Sequence, residues 1–249
     1  MLELNNVSKS FGRTQALQPT SLQIPAGQTT VLIGPSGCGK STLLRLMLYL
    51  IQPDTGSVRF EGTEFTPADA LTLRQRMGYV IQDGGLFPHL TTRDNIALMA
   101  RYLGWKNRRI ETRLAELTEL TRFPSDGLYR YPVQLSGGQK QRVSLMRALM
   151  LDPDILLLDE PLGALDPMVR SDLQTDLRII FQTLEKNVVM VTHDMGEAGF
   201  FGDLIVLLRD GHIVQQGTLN ELIRTPADPF VTRFINVQRQ TLEAPGGDA

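Results

Sequence analysis

GPSGCGKST, residues Gly34 to Thr42, lies between the apolar run TTVLI (Thr29 to Ile33) and the stretch LLRLMLYL. A strand-like run, a glycine-rich turn and a helix-like run in that order fit the phosphate-loop pattern G-x-x-x-x-G-K-[ST]. The glycines Gly34, Gly37 and Gly39 let consecutive backbone N–H groups curl around a phosphate with no Cβ in the way. Lys40 is spaced to reach the β- and γ-phosphates, and the Ser41 hydroxyl to ligate Mg²⁺. A helix starting near Lys40 would aim its positive end at the same anion. Pro35, Ser36, Cys38 and Thr42 complete the candidate nucleotide-contacting set. The loop alone does not say which nucleotide enzyme this is.

Working outward, DILLLD ending at Asp159, NVVMV ending at Val191 and LIVLL ending at Leu208 are further short apolar runs. Runs apolar on both faces suit the buried strands of a parallel sheet. Helical spacing separates them: Val169, Leu173, Leu177, Ile180 and Leu184 form one stripe to bury against the sheet. At the start, LELNNVSKSFG and TSLQIPAG read as short strands of an antiparallel edge sheet. In the middle, Ile96, Met99, Ala100 and Leu103 make one helical stripe, and Ile110, Leu114 and Leu117 another. The expected fold is α/β: a phosphate-loop NTPase core with a mostly parallel sheet, an antiparallel β edge subdomain and an inserted helical subdomain at about 84–150. Residues 1–240 are expected to form a single domain, and 241–249 (through EAPGGDA) a disordered tail.

With 249 residues, 42% hydrophobic and 21% charged, the chain is long enough for a sizeable core and ordinary for a soluble globular protein. A formal net charge of −2 argues against nucleic acid as the main partner. No stretch approaches the ~18 apolar residues of a membrane span, and the N-terminus lacks a signal-peptide layout. The chain is therefore expected in the cytosol. A single cysteine, Cys38, excludes an internal disulfide; its place before a helix N-terminus could lower its pKa, against the simpler reading of a tolerated small residue.

Other motifs narrow the class. In LSGGQ (Leu135 to Gln139), Ser136 is placed to cap a helix, and Gly137, Gly138 and Gln139 open that helix as a second anion site. In ILLLDEP, Asp159 ends an apolar strand where a carboxylate can hold Mg²⁺, and Glu160 follows directly. A carboxylate buried without a cation would be costly. In VTHD, His193 lies just beyond another strand end.

Taken together, these motifs resemble the ATP-binding-cassette (ABC) proteins, in the family's order and over most of the chain. The resemblance implies that ATP and Mg²⁺ are the cofactors and that two chains pair, so that each ATP lies between a phosphate loop and the partner's LSGGQ segment. It implies that Glu160 polarises the attacking water as general base and that His193 contacts the γ-phosphate. Gln82, in YVIQDGGLFPHLT, matches the Q-loop glutamine that touches Mg²⁺ and the attacking water. Asp166, in GALDP, matches the D-loop at the dimer interface, and Phe11 matches the aromatic that stacks on adenine. The implied assembly is a homodimer at the cytoplasmic face of the cell membrane, driving integral-membrane permease subunits. LFPHL, around Leu86 to Arg93, is the expected docking loop for the permease, local packing being its alternative.

The Q-loop segment, GALDPMVRSDLQ and PADPFVTRFI are similar to the osmoprotectant importer group, which moves glycine betaine, choline or carnitine and takes solute from an extracytoplasmic solute-binding protein. MGEAGFFGD after His193 departs from that group's pattern. The paired regulatory domain that many members append does not follow, so ionic-strength sensing is expected to be absent. An exporter cassette shares the catalytic set and stays open. A translation or repair ATPase fits less well: there is one cassette here and no sustained heptads between Lys40 and Ser136. A phosphate-loop GTPase is disfavoured by the lack of an N-K-x-D motif.

Overall fold

A computed structural model describes residues 1–82, 84–163 and 165–243. In chain order the strands are β1 (Leu2–Phe11), β2 (Thr14–Ile24), β3 (Thr29–Ile33), β4 (Thr55–Phe60), β5 (Thr63–Glu64), β6 (Met77–Val80), β7 (Ile155–Asp159), β8 (Asn187–Val191), β9 (Leu204–Arg209) and β10 (His212–Gly217). The helices are α1 (Lys40–Met47), α2 (Ala70–Arg74), α3 (Thr92–Tyr102), α4 (Asn107–Leu120), α5 (Gly137–Leu149), α6 (Pro167–Leu184), α7 (Met195–Phe201), α8 (Leu219–Arg224) and α9 (Pro229–Glu243). Short 3₁₀ turns at Ser125–Tyr129 and Pro132–Gln134 lie between α4 and α5. The chain divides into two compact units: Met1–Thr66 with the residues from Val189 onward, and Pro67–Val188.

The first unit holds the expected antiparallel sheet, in the order β2-β1-β4-β5. Its strands are longer than their sequence signals: β1 has 10 residues and β2 has 11. Pro19 interrupts the pattern of β2, yet β2 is the edge of this sheet, where a missing N–H is tolerated. Inward positions such as Leu2, Leu4, Leu22 and Ile24 are fully or almost fully buried. The same unit carries the run β10-β9-β3-β8. There β3 pairs with β9 in parallel, from Thr30↔Leu204 to Ile33↔Leu207, and β10 closes the edge antiparallel to β9. Every residue of β3 is buried, as a strand covered on both faces requires.

The second unit pairs β6 with β7 in parallel, Met77↔Ile155 through Val80↔Leu158. The sequence offers little sign of β6, because MGYV is short and contains a glycine. Gly78 is needed there, since a Cβ would lie 2.8 Å from the Ala148 carbonyl oxygen of α5. Between Gly84 and Met150 the described residues form helices and turns, with no strand. Ile110, Leu114 and Leu117 are buried as expected on α4, and Leu173, Leu177 and Ile180 on α6. On α3, Ile96 and Ala100 are buried, but Met99 is exposed; it lines a groove rather than the core. No helix among the described residues is long and apolar enough to cross a membrane. Helix α9 reaches Glu243, so Thr241–Glu243 of the expected tail are helical; 244–249 lie outside the described residues.

Candidate functional site

The phosphate loop leaves β3 at Ile33 and enters α1 at Lys40. Gly34 has φ 151°, and a Cβ there would stand 2.2 Å from the Leu208 carbonyl oxygen. Gly39 has φ 107°, with a Cβ position 2.7 Å from the Ala16 carbonyl oxygen. Neither site admits a side chain. Cys38 N–H donates to the Pro35 carbonyl (3.3 Å), closing the turn. Lys40 is 6% exposed, and its Nζ donates to the carbonyls of Gly34 (2.8 Å) and Pro35 (2.9 Å). The lysine is thus packed inside the loop, its charge held by two loop carbonyls. Pro35, Ser36 and Gly37 are exposed; Ser41 and Thr42 are half-buried in the first turn of α1. Gly39, the N-cap, offers no side-chain acceptor to the first N–H groups of α1. Donors, fixed cation and helix end together fit a bound phosphate.

Cys38 follows the simpler of its two readings, a tolerated small residue. The thiol is buried, and burial pushes its pKa up, outweighing the opposing influence of Lys40. Despite the nearby Lys40, the site lacks the exposure of a reactive cysteine.

Phe11 ends β1 opposite Thr14 and is 49% exposed, with Lys9 Nζ 5.9 Å from the ring centroid. It is free to stack on a ligand. His193 is exposed, and the residues on either side of it are hydrogen-bonded. Thr192 N–H donates to the Leu32 carbonyl (3.1 Å), which lays this segment beside the strand that feeds the phosphate loop. The Thr192 hydroxyl donates to Glu197 Oε2 (2.5 Å) and accepts from Asp194 N–H (3.0 Å). Asp194 Oδ1 accepts from the N–H groups of Gly196 (2.7 Å) and Glu197 (3.1 Å), capping α7. Sequence reasoning missed Thr192 and Glu197. An acidic residue in a largely apolar helix was the available signal.

In the second unit, Gln82 follows β6 and Asp159 ends β7, so both lie at the C-terminal ends of paired parallel strands, the usual ligand-binding edge of an α/β sheet. Gln82 is exposed and Asp159 is 3% exposed. Glu160 has φ 47°, a left-handed conformation that costs a non-glycine residue about 1–3 kcal/mol and tends to occur at functional sites. Its carbonyl accepts from Gly163 N–H (3.2 Å). Asp159, the last residue of β7, carries carboxylate oxygens of the kind that Mg²⁺ prefers.

Ser136 caps α5 as expected. Its Oγ accepts from Gln139 N–H (3.3 Å), and Gln139 Oε1 accepts from Ser136 N–H (3.0 Å). Ser136 and Gly137 are exposed, leaving this helix end open. Gly138 has no room for a side chain, its Cβ position being 2.6 Å from Val169 Cγ1 of α6. Asp166 caps α6 by accepting from Val169 N–H (3.1 Å), a local role that accounts for its residue type. Further along α5, Arg142 donates to Asp176 Oδ2 (2.5 Å) and to the Thr121 carbonyl, and Arg122 donates to Asp176 Oδ1 (3.0 Å). Ser144 and Arg147 donate to the carbonyls of Gly84 and Gly85, just after Gln82.

A groove of about 590 Å³ opens beside this segment, lined by Leu71, Met77, Phe87, Met99, Tyr102 and Arg147 among others. Asn95, fully buried, sets the shape of the LFPHL loop. Its Oδ1 accepts from Phe87 N–H (2.8 Å), and its Nδ2 donates to the carbonyls of Phe87, Leu90 and Thr91 at 3.0–3.1 Å. Phe87 is left exposed at the groove.

Comparison with known proteins agrees with these features. The family model described as ABC transporter matches residues 17–163, more than half of the chain. The chain is 44% identical to the choline transport ATP-binding protein OpuBA of Bacillus subtilis over 240 residues, covering 96% of this chain and 63% of that protein. It is also 44% identical to the glycine betaine uptake system ATP-binding protein YehX of Escherichia coli, covering 94% and 76%. A sulfate/thiosulfate import ATP-binding protein of Thermosynechococcus vestitus is 45% identical, with 94% and 69% covered. Among solved structures, a dimeric bacterial ABC transporter cassette superposes with a TM-score of 0.80 at 32% identity, covering 88% of this chain and 99% of that one. A cassette in a post-hydrolysis state with ADP and phosphate bound gives 0.79 at 33%, with the same coverage. The chain belongs to the ABC transporter family.

Proposed function

We propose that the chain binds and hydrolyses ATP, works as a pair, and powers a membrane permease from the cytoplasmic face. The observation that carries this is the phosphate loop: a turn only glycine can make, wrapped around Lys40 and leading into a helix N-terminus. Its N–H groups and Lys40 bind the β- and γ-phosphates, and Phe11 stacks on the base. Ser41, Asp159 and Gln82 would hold Mg²⁺, which when bound offsets phosphate charge and leaves the γ-phosphorus open to attack. Glu160 takes a proton from the attacking water, Gln82 orients that water, and His193 donates to the γ-phosphate. Ser136, Gly137, Gly138 and Gln139 meet the ATP bound by a second copy, with Asp166 at the same interface. The dimeric cassette superposing at 0.80 supports the pairing. Each chain is then catalytically incomplete alone.

The groove beside Phe87 takes a short helix of the permease, an apolar anchor site with two cations, Arg74 and Arg147, in its lining. The solute is a quaternary amine, received from an extracytoplasmic binding protein; the likeness to the choline and glycine betaine systems supports this. Sulfate is the second reading, favoured by the 45% identity to a sulfate/thiosulfate cassette. Titration of Lys40→Ala with a fluorescent ATP analogue tests the core of the proposal. Affinity should fall about tenfold or more, as for loss of a charge-assisted contact; unchanged affinity would remove Lys40 and the loop from nucleotide binding.

A further inference from the structure

We infer that Arg147 and Ser144 are positioning residues that fasten the Q-loop to the signature helix α5, so that occupancy at one nucleotide site of the pair is passed to the other. Arg147 Nη1 donates to the Gly85 carbonyl (2.7 Å) and Nη2 to the Gly84 carbonyl (2.8 Å). Ser144 Oγ, whose one proton is shared with the Lys140 carbonyl (3.0 Å), donates to the same Gly84 carbonyl (2.8 Å). Gly84 and Gly85 both have left-handed backbones, φ 74° and 53°. A Cβ would lie 2.7 Å from Ser144 Oγ at Gly84 and 1.9 Å from Ile81 Cδ1 at Gly85. Gly84 thus lets the loop lie close enough for its carbonyl to meet α5, and Gly85 lets the loop turn over Ile81.

Among the described residues the guanidinium donates to neutral carbonyls, and burial pushes its pKa down. Its position explains the arrangement. Helix α5 starts at the open Ser136 end and presents Arg147 about 15 Å further along its axis. This inference rests on the paired-cassette proposal. There, Gln82 meets the ATP of its own chain, while the Ser136 end of α5 meets the ATP of the other. One rigid helix, bonded at its far end to the Q-loop, therefore joins the two sites. Arg147 also lines the groove, so the same bond reaches the surface offered to the permease. The coupling is read in the rate and its dependence on ATP concentration rather than in the affinity of a single site.

The test compares full-length wild type, Arg147→Ala, Arg147→Lys and Ser144→Ala. It measures nucleotide affinity by titration, and ATPase rate against ATP concentration for kcat and the Hill coefficient. Circular-dichroism melts confirm folding. Wild type should show a Hill coefficient between about 1 and 2, as two coupled sites allow. Arg147→Ala should keep nucleotide affinity within about twofold, lose about tenfold in kcat and fall to a Hill coefficient near 1, the size of effect expected from charge-assisted hydrogen bonds. Arg147→Lys, which reaches one carbonyl, should lie between the two, and Ser144→Ala should lose about threefold in kcat. If Arg147→Ala does not fold, the lysine and serine variants make the same comparison. Folded variants with wild-type kcat and Hill coefficient would overturn the clamp while leaving the pairing intact. A wild type with a Hill coefficient of 1, and a Glu160→Gln variant that stays monomeric with ATP, would overturn the pairing and the clamp with it.

Discussion

Asp176 accepts from two arginines that differ mainly in exposure, so removing each in turn separates a surface ion pair from a buried one. Arg122 has a side chain 68% exposed, Arg142 one 19% exposed, and the shared carboxylate is 10% exposed. In water-rich surroundings Arg122→Ala should cost about 0.5 kcal/mol. Arg142→Ala removes the better-buried partner, strips a donor from the Thr121 carbonyl and leaves Asp176 with an exposed cation only. Losing one side of a buried pair costs about 3 kcal/mol. For a chain of this size, each kcal/mol moves Tm by about 2–4 °C. Calorimetric scans should therefore show a drop of roughly 1–2 °C for Arg122→Ala and roughly 6–12 °C for Arg142→Ala. Adding salt should erase the first difference more than the second, because screening acts on exposed charges. Equal losses for the two variants, or equal salt sensitivity, would refute the assignment of the energy to burial.

Further outcomes follow from the site. Cys38 should react with iodoacetamide at neutral pH at least about tenfold more slowly in the native protein than after denaturation, since burial holds the thiol protonated; equal rates would place it in an exposed site. Thr192→Val should leave nucleotide affinity within about twofold and lower kcat about five- to tenfold, because the link from Asp194 to Glu197 around His193 is broken. Wild-type kcat would leave that network without a role in setting His193. A photo-crosslinker at Phe87 should capture a co-expressed permease, and one at exposed Leu50 should not; capture at neither site would move the docking surface elsewhere.

Much of this was legible in the residues. The phosphate loop, the strand ends carrying Asp159 and His193 and the Ser136 cap are local patterns, and local chemistry dictates them. Contacts between distant positions were not. Arg147 and Gly84 lie 63 residues apart, and no periodicity announces such a bond. Met99 fell into the helical stripe of α3, yet it faces a groove; periodicity finds an apolar face without telling a core from a binding surface. Strand β6 was hidden because its central glycine serves helix packing, which overrides strand propensity. For Cys38 the residues offer two readings, a tolerated small residue or a thiol whose pKa a helix end lowers. Burial behind the loop outweighed that influence, and burial cannot be read from neighbours in sequence.

The central claim is that two chains close around ATP and that Glu160 opens them by hydrolysis. Light scattering on the Glu160→Gln variant with Mg-ATP tests it directly. The account predicts a stable particle of twice the 27.8 kDa chain mass, formed with ATP, absent with ADP, and turning over at least about a hundredfold more slowly than wild type, as befits loss of a general base. A monomer at every ATP concentration, or turnover at the wild-type rate, would contradict it.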